Sequence, residues 1–148
     1  MALTSMEIRK STRVGRSAIE TFDLIEAAEH YPTFLPWCAD AVILARDDEE
    51  VAARITIDFH GLRFALTTRN PKRRPHWMAI HLEQGPFRRF EGEWRVTELA
   101  ADACRIDFDL RYEWGRGLMG LLARPIFDDI ANKMVDAFAR RAEQGEEL

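Results

Sequence analysis

Cysteine is nearly absent: Cys38 and Cys104 stand far apart and in no metal-ligand spacing. That excludes a disulfide framework and a zinc scaffold, and it fits a reducing compartment. Long apolar runs are missing too. No stretch approaches the ~20 residues that span a bilayer. Met1–Lys10 lacks the apolar core and small-residue cleavage site of a signal peptide. A soluble, cytoplasmic protein is therefore expected. Positive charge is not in excess: 25 acidic residues outnumber 21 basic ones, for a net charge of −4. Neutralising phosphates needs a positive surface, so DNA binding is not expected.

Catalytic signatures are absent as well. There is no Ser/His/Asp order, nucleophile elbow, HExxH pair or phosphate loop. His30, His60, His76 and His81 are scattered. Asp58 and His60 share one strand face, but Arg54 and Thr56 mark that face as solvated. No catalytic residue, metal ligand or required cofactor is assigned, and an enzyme is not expected.

What is present is a pattern that switches between the periods of strand and helix. Glu7–Val14 alternates as a strand. Ser17 then reads as an N-cap, with Glu20 completing a capping box, and Ala18, Phe22, Ile25 and Glu26 recur at helical spacing. Pro32 and Pro36 limit the next segment to a short helical turn and a loop. Period two returns at Ala41–Arg46. It continues through Val51, Ala53, Ile55, Ile57 and Phe59, with His60 on the polar phase, and then Leu62, Phe64 and Leu66. Asn70–Pro75 reads as a basic turn. Met78, Ile80 and Leu82 point inward on the next strand, and Phe90, Gly92, Trp94 and Val96 on the one after. Cys104, Ile106, Phe108, Leu110, Tyr112 and Trp114 give the clearest alternation, that of a sheet with one buried and one wet face.

A helix is predicted from Leu118 to Arg141, with Leu122, Ile126, Ile130, Met134 and Phe138 at i, i+4 spacing. Pro125 is expected to kink it or to start its main segment. The fold class is α+β: about seven antiparallel strands curved around a long C-terminal helix, with two short helices after the first strand. One domain covers 1–148, with short flexible tails at 1–5 and 143–148.

Several segments carry a resemblance. Tyr31-Pro-Thr-Phe-Leu-Pro-Trp-Cys38, Thr67-Thr-Arg-Asn70, Gly85-Pro-Phe-Arg-Arg89, Trp94, Ala103-Cys-Arg-Ile106 and Ala131-Asn-Lys-Met-Val-Asp-Ala-Phe138 resemble the coenzyme Q-binding START-domain proteins. The bacterial branch is the RatA-type ribosome-association toxin family, with the older label oligoketide cyclase. The resemblance implies a helix-grip fold with an apolar tunnel for ubiquinone or a similar polyprenyl lipid. It further implies either a quinone chaperone in respiration or an inhibitor that binds the large ribosomal subunit. A cyclase-like enzyme is a distant third. Trp37, where a small residue is typical, and Pro125 depart from the pattern.

The candidate ligand-binding residues are Phe64, Phe90, Gly92, Trp94, Phe108 and Tyr112 on the sheet, with Phe127, Ile130 and Met134 on the helix. By periodicity alone a packed core is the commoner role for such residues. The Tyr112 hydroxyl needs a partner when buried, and a quinone carbonyl is one option. Leu35, Trp37, Trp114, Leu118 and Met119 are the candidate mouth or lid. They either lift or dip into an anionic inner-membrane surface, or simply pack as a helix start. Lys72, Arg73, Arg74, Arg88 and Arg89 form a candidate surface basic set, for rRNA or lipid phosphates or merely solvated. The expected partners are therefore a hydrophobic small molecule, a peripheral membrane contact and the large ribosomal subunit.

Overall fold

The structure, a computed structural model, describes residues 5–145. Seven strands form one antiparallel sheet: β1 Met6–Val14, β2 Cys38–Arg46, β3 Glu50–Phe59, β4 Leu62–Arg73, β5 Trp77–Gln84, β6 Phe87–Ala100 and β7 Ala103–Trp114. Their order is β1-β7-β6-β5-β4-β3-β2, so the first two strands form the two edges. Two helices complete the fold, α1 Ala18–Glu26 and α2 Leu118–Gln144, with a 3-10 helix at Ala28–Thr33. This is the α+β helix-grip arrangement expected. Residues 1–4 and 146–148, part of the expected tails, lie outside the described residues. Glu143 and Gln144 are not tail but the end of α2, and Glu143 accepts the Gly15 N–H at 2.8 Å.

The local signals explain the elements. Ser17 caps α1, its hydroxyl accepting from the Glu20 N–H at 3.1 Å and donating to the Glu20 carboxylate at 2.9 Å, as the capping box requires. β3 ends at Phe59, one residue before the sequence expectation. His60 (φ 53°) and Gly61 (φ 81°) make a two-residue turn with both residues left-handed, the turn that matches strand twist. Register shifts in the β2–β3, β4–β5 and β6–β7 pairs bend the sheet.

β4 departs furthest from its sequence reading. Asn70–Arg73 is strand rather than turn, because the Lys72 N–H still donates to the Glu49 carbonyl at 2.9 Å beyond Pro71. The alternation Leu62, Phe64, Leu66, Thr68 therefore continues inward to Asn70 and Lys72.

α2 is one continuous helix of 27 residues through Pro125, about 40 Å at ~1.5 Å per residue. Its buried face runs through Ala123, Phe127, Ile130, Ala131, Val135 and Phe138, whereas Leu122 is 60% exposed. Strict i, i+4 spacing drifts by about 40° per step at ~3.6 residues per turn. Leu122 and Phe138 therefore cannot share a face, and the true stripe steps by three as well as four.

Candidate ligand-binding site

The site is a cavity of about 100 Å³ between the concave face of the sheet and α2. Alternation places Ile55, Ile57, Leu66, Met78 and Ile80 of β3–β5 on its floor, with Phe90, Trp94, Phe108 and Leu110 of β6 and β7 beside them. Phe127, Ile130, Met134 and Phe138 of α2 close the opposite side. Ile25 of α1, Ala28 and Tyr31 of the 3-10 helix and Trp37 beyond wall one end. Tyr31 and Phe34 meet Phe138 edge to face at 5.2 and 5.3 Å, which fixes that wall to α2.

Polar groups enter the lining through Glu26, Tyr31, Thr68 and Asn70. The Tyr31 hydroxyl donates to the Ile25 carbonyl. Glu26 is 8% exposed; it accepts from Lys72 Nζ and, at 2.5 Å, from Arg74 Nη1. Burial alone would raise the Glu26 carboxyl, but the bonds and charges of Lys72 and Arg74 outweigh it and hold it below the usual carboxylate range. Asn70 Nδ2 donates to Met78 Sδ at 3.8 Å, and Asn70 Oδ1 is buried with no partner among the described residues. An acceptor left so costs about 1–3 kcal/mol.

Of the residues singled out in the sequence, Phe90, Trp94, Phe108, Phe127, Ile130 and Met134 meet at this cavity. Phe64, Gly92 and Tyr112 do not line it. Phe64 packs into an aromatic cluster with Phe87, Trp114 and Phe127, where Phe87 stacks on Trp114 at 4.3 Å between ring centres. Gly92 is covered: a Cβ there would meet the Asp109 carbonyl at 3.0 Å, Leu110 Cδ1 at 3.2 Å and Ile80 Cδ1 at 3.3 Å. Tyr112 is buried, and its hydroxyl donates to Asp128, a partner within the chain rather than a ligand.

The mouth residues separate likewise. Leu35 is 1% exposed and belongs to the core, which corrects its reading as a lip residue. Trp37 is half-buried and lines the cavity. Trp114 is half-buried in the aromatic cluster. Leu118 and Met119 are exposed, together with Leu121 and Leu122.

The basic set does not survive as a patch. Lys72 is buried on Glu26, Arg74 bridges Asp23 and Glu26, and Arg89 bonds Glu91 at 2.9 Å. Arg73 and Arg88 are exposed. The Asp58–His60 pair is not made either: Asp58 pairs with Arg63 at 2.7 Å, and His60 sits in the turn.

Sequence reasoning missed Glu26, Thr68 and Asn70 as lining residues. For Thr68 and Asn70 the signal was the β4 alternation, which carries on where its residues turn polar; for Glu26 on α1 no local signal marked it as lining the cavity.

Comparisons with known proteins agree with this geometry. The ribosome association toxin RatA of Pseudomonas aeruginosa is 34% identical over 140 residues, covering 95% of this chain and 97% of the relative. The coenzyme Q-binding protein COQ10 homolog B, mitochondrial, of Xenopus laevis is 24% identical over 141 residues, covering 93% of this chain and 58% of that one. A START superfamily protein from Mycobacterium smegmatis superposes with a TM-score of 0.77 at 21% identity, covering 93% of this chain and 97% of its own. Residues 14–139, from the end of β1 to the last turns of α2, match the family described as polyketide cyclase / dehydrase and lipid transport, and the chain belongs to that family.

Proposed function

We propose that this chain binds and carries a hydrophobic isoprenoid, ubiquinone or a similar polyprenyl lipid, in the cavity between sheet and α2. The carrying observation is the lining itself: aliphatic and aromatic side chains on nearly every side, with a few polar groups gathered on α1 and β4. That is the composition of a pocket for an apolar ligand with one oriented end. The family's lipid transport and the coenzyme Q-binding relative support the reading. About 100 Å³ accommodates a ring more readily than a long tail, since drug-sized ligands occupy about 300–1,000 Å³. Loading a larger ligand then requires lining side chains to move, and Trp37 and Met134 are among the half-buried ones. The exposed Leu118, Met119, Leu121 and Leu122, beside Arg116 and Arg124, would take up lipid at an anionic bilayer surface. No described helix is long and apolar enough to cross a membrane.

General-acid catalysis by Glu26, the carboxylate in the lining, is disfavoured because Lys72 and Arg74 hold it below the usual carboxylate range. A general acid at neutral pH needs the opposite shift. The test is mass spectrometry of organic extracts from protein purified out of a quinone-producing host, beside Ala53→Leu, which projects a larger side chain into the cavity. Stoichiometric quinone in the wild type and little in a folded Ala53→Leu supports the carrier. Quinone-free wild-type protein refutes it.

A second reading rests on the 34% identity to RatA: association with the large ribosomal subunit through the surface. Arg73 lines an outer groove with His76, Trp77 and Arg95. Arg73→Glu with Arg88→Glu should weaken co-sedimentation with ribosomes, and undiminished co-sedimentation would exclude these contacts.

A further inference from the structure

The polar end of the cavity holds one buried acceptor with nothing to accept. Tyr31 donates to the Ile25 carbonyl, and the Glu26 carboxylate is taken by Lys72 and Arg74. Asn70 differs. It lies on the inward phase of β4 with Leu66 and Thr68, all of them lining the cavity. Its Nδ2 donates to Met78 Sδ at 3.8 Å, which leaves Oδ1 buried and unpaired among the described residues.

The sulfur sets which way the amide faces. Turned over, the carboxamide oxygen would oppose the thioether, acceptor against acceptor, and two N–H donors would be stranded instead. An unpaired acceptor bordering an apolar pocket, reached as a ligand widens that pocket, discriminates ligands by the donor they bring. A ligand without one leaves the acceptor unpaired in the complex as well, and such sites reject analogues lacking the matching group.

We propose that Asn70 Oδ1 accepts the hydroxyl of an alkylated or prenylated aromatic ring, a phenol or a quinol, so that the cavity selects the hydroxyl-bearing ring over its quinone or methyl ether. The inference rests on reading the cavity as an isoprenoid site. It adds the chemical state of the head group: a quinone brings carbonyl acceptors only, and its reduced form brings the donor. No redox step is involved; the site sorts two forms supplied from elsewhere.

The experiment titrates the full-length protein with 4-octylphenol and with 4-octylanisole, followed by the fluorescence of the lining Trp37 and Trp94. The two probes share a ring and tail, and the anisole carries a methyl group where the phenol has its hydroxyl hydrogen. The phenol should bind at least about tenfold more tightly, and Asn70→Leu should shrink that gap to within about twofold, with a circular dichroism melt reporting an intact fold. Equal affinities in the wild type, a preference for the ether, or a preference that survives Asn70→Leu would each overturn the assignment while leaving the isoprenoid site standing. Failure of both probes to bind the wild type would overturn the site itself. Decylubiquinol against decylubiquinone under anaerobic conditions repeats the comparison without a variant; the quinol should win, and parity refutes the proposal.

Discussion

Lys72→Met removes a charge from the most buried ionic group in the described chain while keeping most of the hydrophobic stem. In the wild type the Lys72 side chain is 2% exposed and the Glu26 side chain 10%. Losing one partner of such a pair leaves the other charge desolvated, at a cost of about 3–5 kcal/mol. Arg74 stays on Glu26 from a side chain that is 40% exposed, so the lower end, about 3 kcal/mol, is expected. For a chain of this length that lowers Tm by about 6–12 °C, readable by circular dichroism melts and urea titration. Lys72→Met with Glu26→Leu removes both charges and should return to within about 1 kcal/mol of wild type. The pH dependence follows the carboxyl. Glu26 is held below its ordinary value in the folded protein, so its stabilisation is complete above the unfolded value near ~4.3 and is lost as pH falls through the folded one. Lys72→Met should flatten that acid limb. A single-variant loss below about 1 kcal/mol, or a double variant that merely sums the singles within about 0.5 kcal/mol, would refute a coupled buried pair.

Tyr112→Phe deletes the donor to Asp128 and should cost about 1.5–3 kcal/mol in urea denaturation, as for a bond to a charged group. Burial raises Tyr31 and, together with the Asp128 bond, Tyr112, so neither tyrosine should ionise in the native protein at pH 10–11. Absorbance near 295 nm should rise only with unfolding, and because the unfolded chain ionises first, stability should fall with pH above about 10. Burial pushes the Cys38 thiol up to about 11 and raises Cys104 as well. A disulfide reagent at pH 8 should label both within minutes only after denaturation. Gly120→Ala should destabilise by about 1–3 kcal/mol despite the gain in helix propensity, because the new Cβ would lie 2.8 Å from Trp114 Cβ; an unchanged melt would show that the start of α2 gives way freely.

The strands were legible because alternation is a local signal, and burying one face of a sheet enforces it over β3, β6 and β7 without reference to anything distant. The capping box at Ser17 was legible for the same reason, since its partners sit three residues apart. The cavity was only partly so. Whether an inward residue lines space or fills it depends on its neighbours across strands. Phe90 and Phe64 look alike in the sequence, and both join the aromatic cluster, yet Phe64 is taken up by edge-to-face contacts with Trp114 and Phe87 while Phe90 also lines the cavity. Gly92 reads as a gap, but Leu110 and Ile80 close over it.

The polar end was illegible because its logic is long-range. Lys72 in a run of basic residues looks solvated until Glu26, 46 positions earlier, is seen beneath it. Asn70 and Lys72 keep the phase of Leu66, and polar residues on an apolar phase are expensive unless something answers them. Glu26 answers Lys72 within the chain. Nothing in the described chain answers Asn70 Oδ1. The same strand phase thus ends in a structural pair and, two residues earlier, in a buried acceptor left without a partner among the described residues.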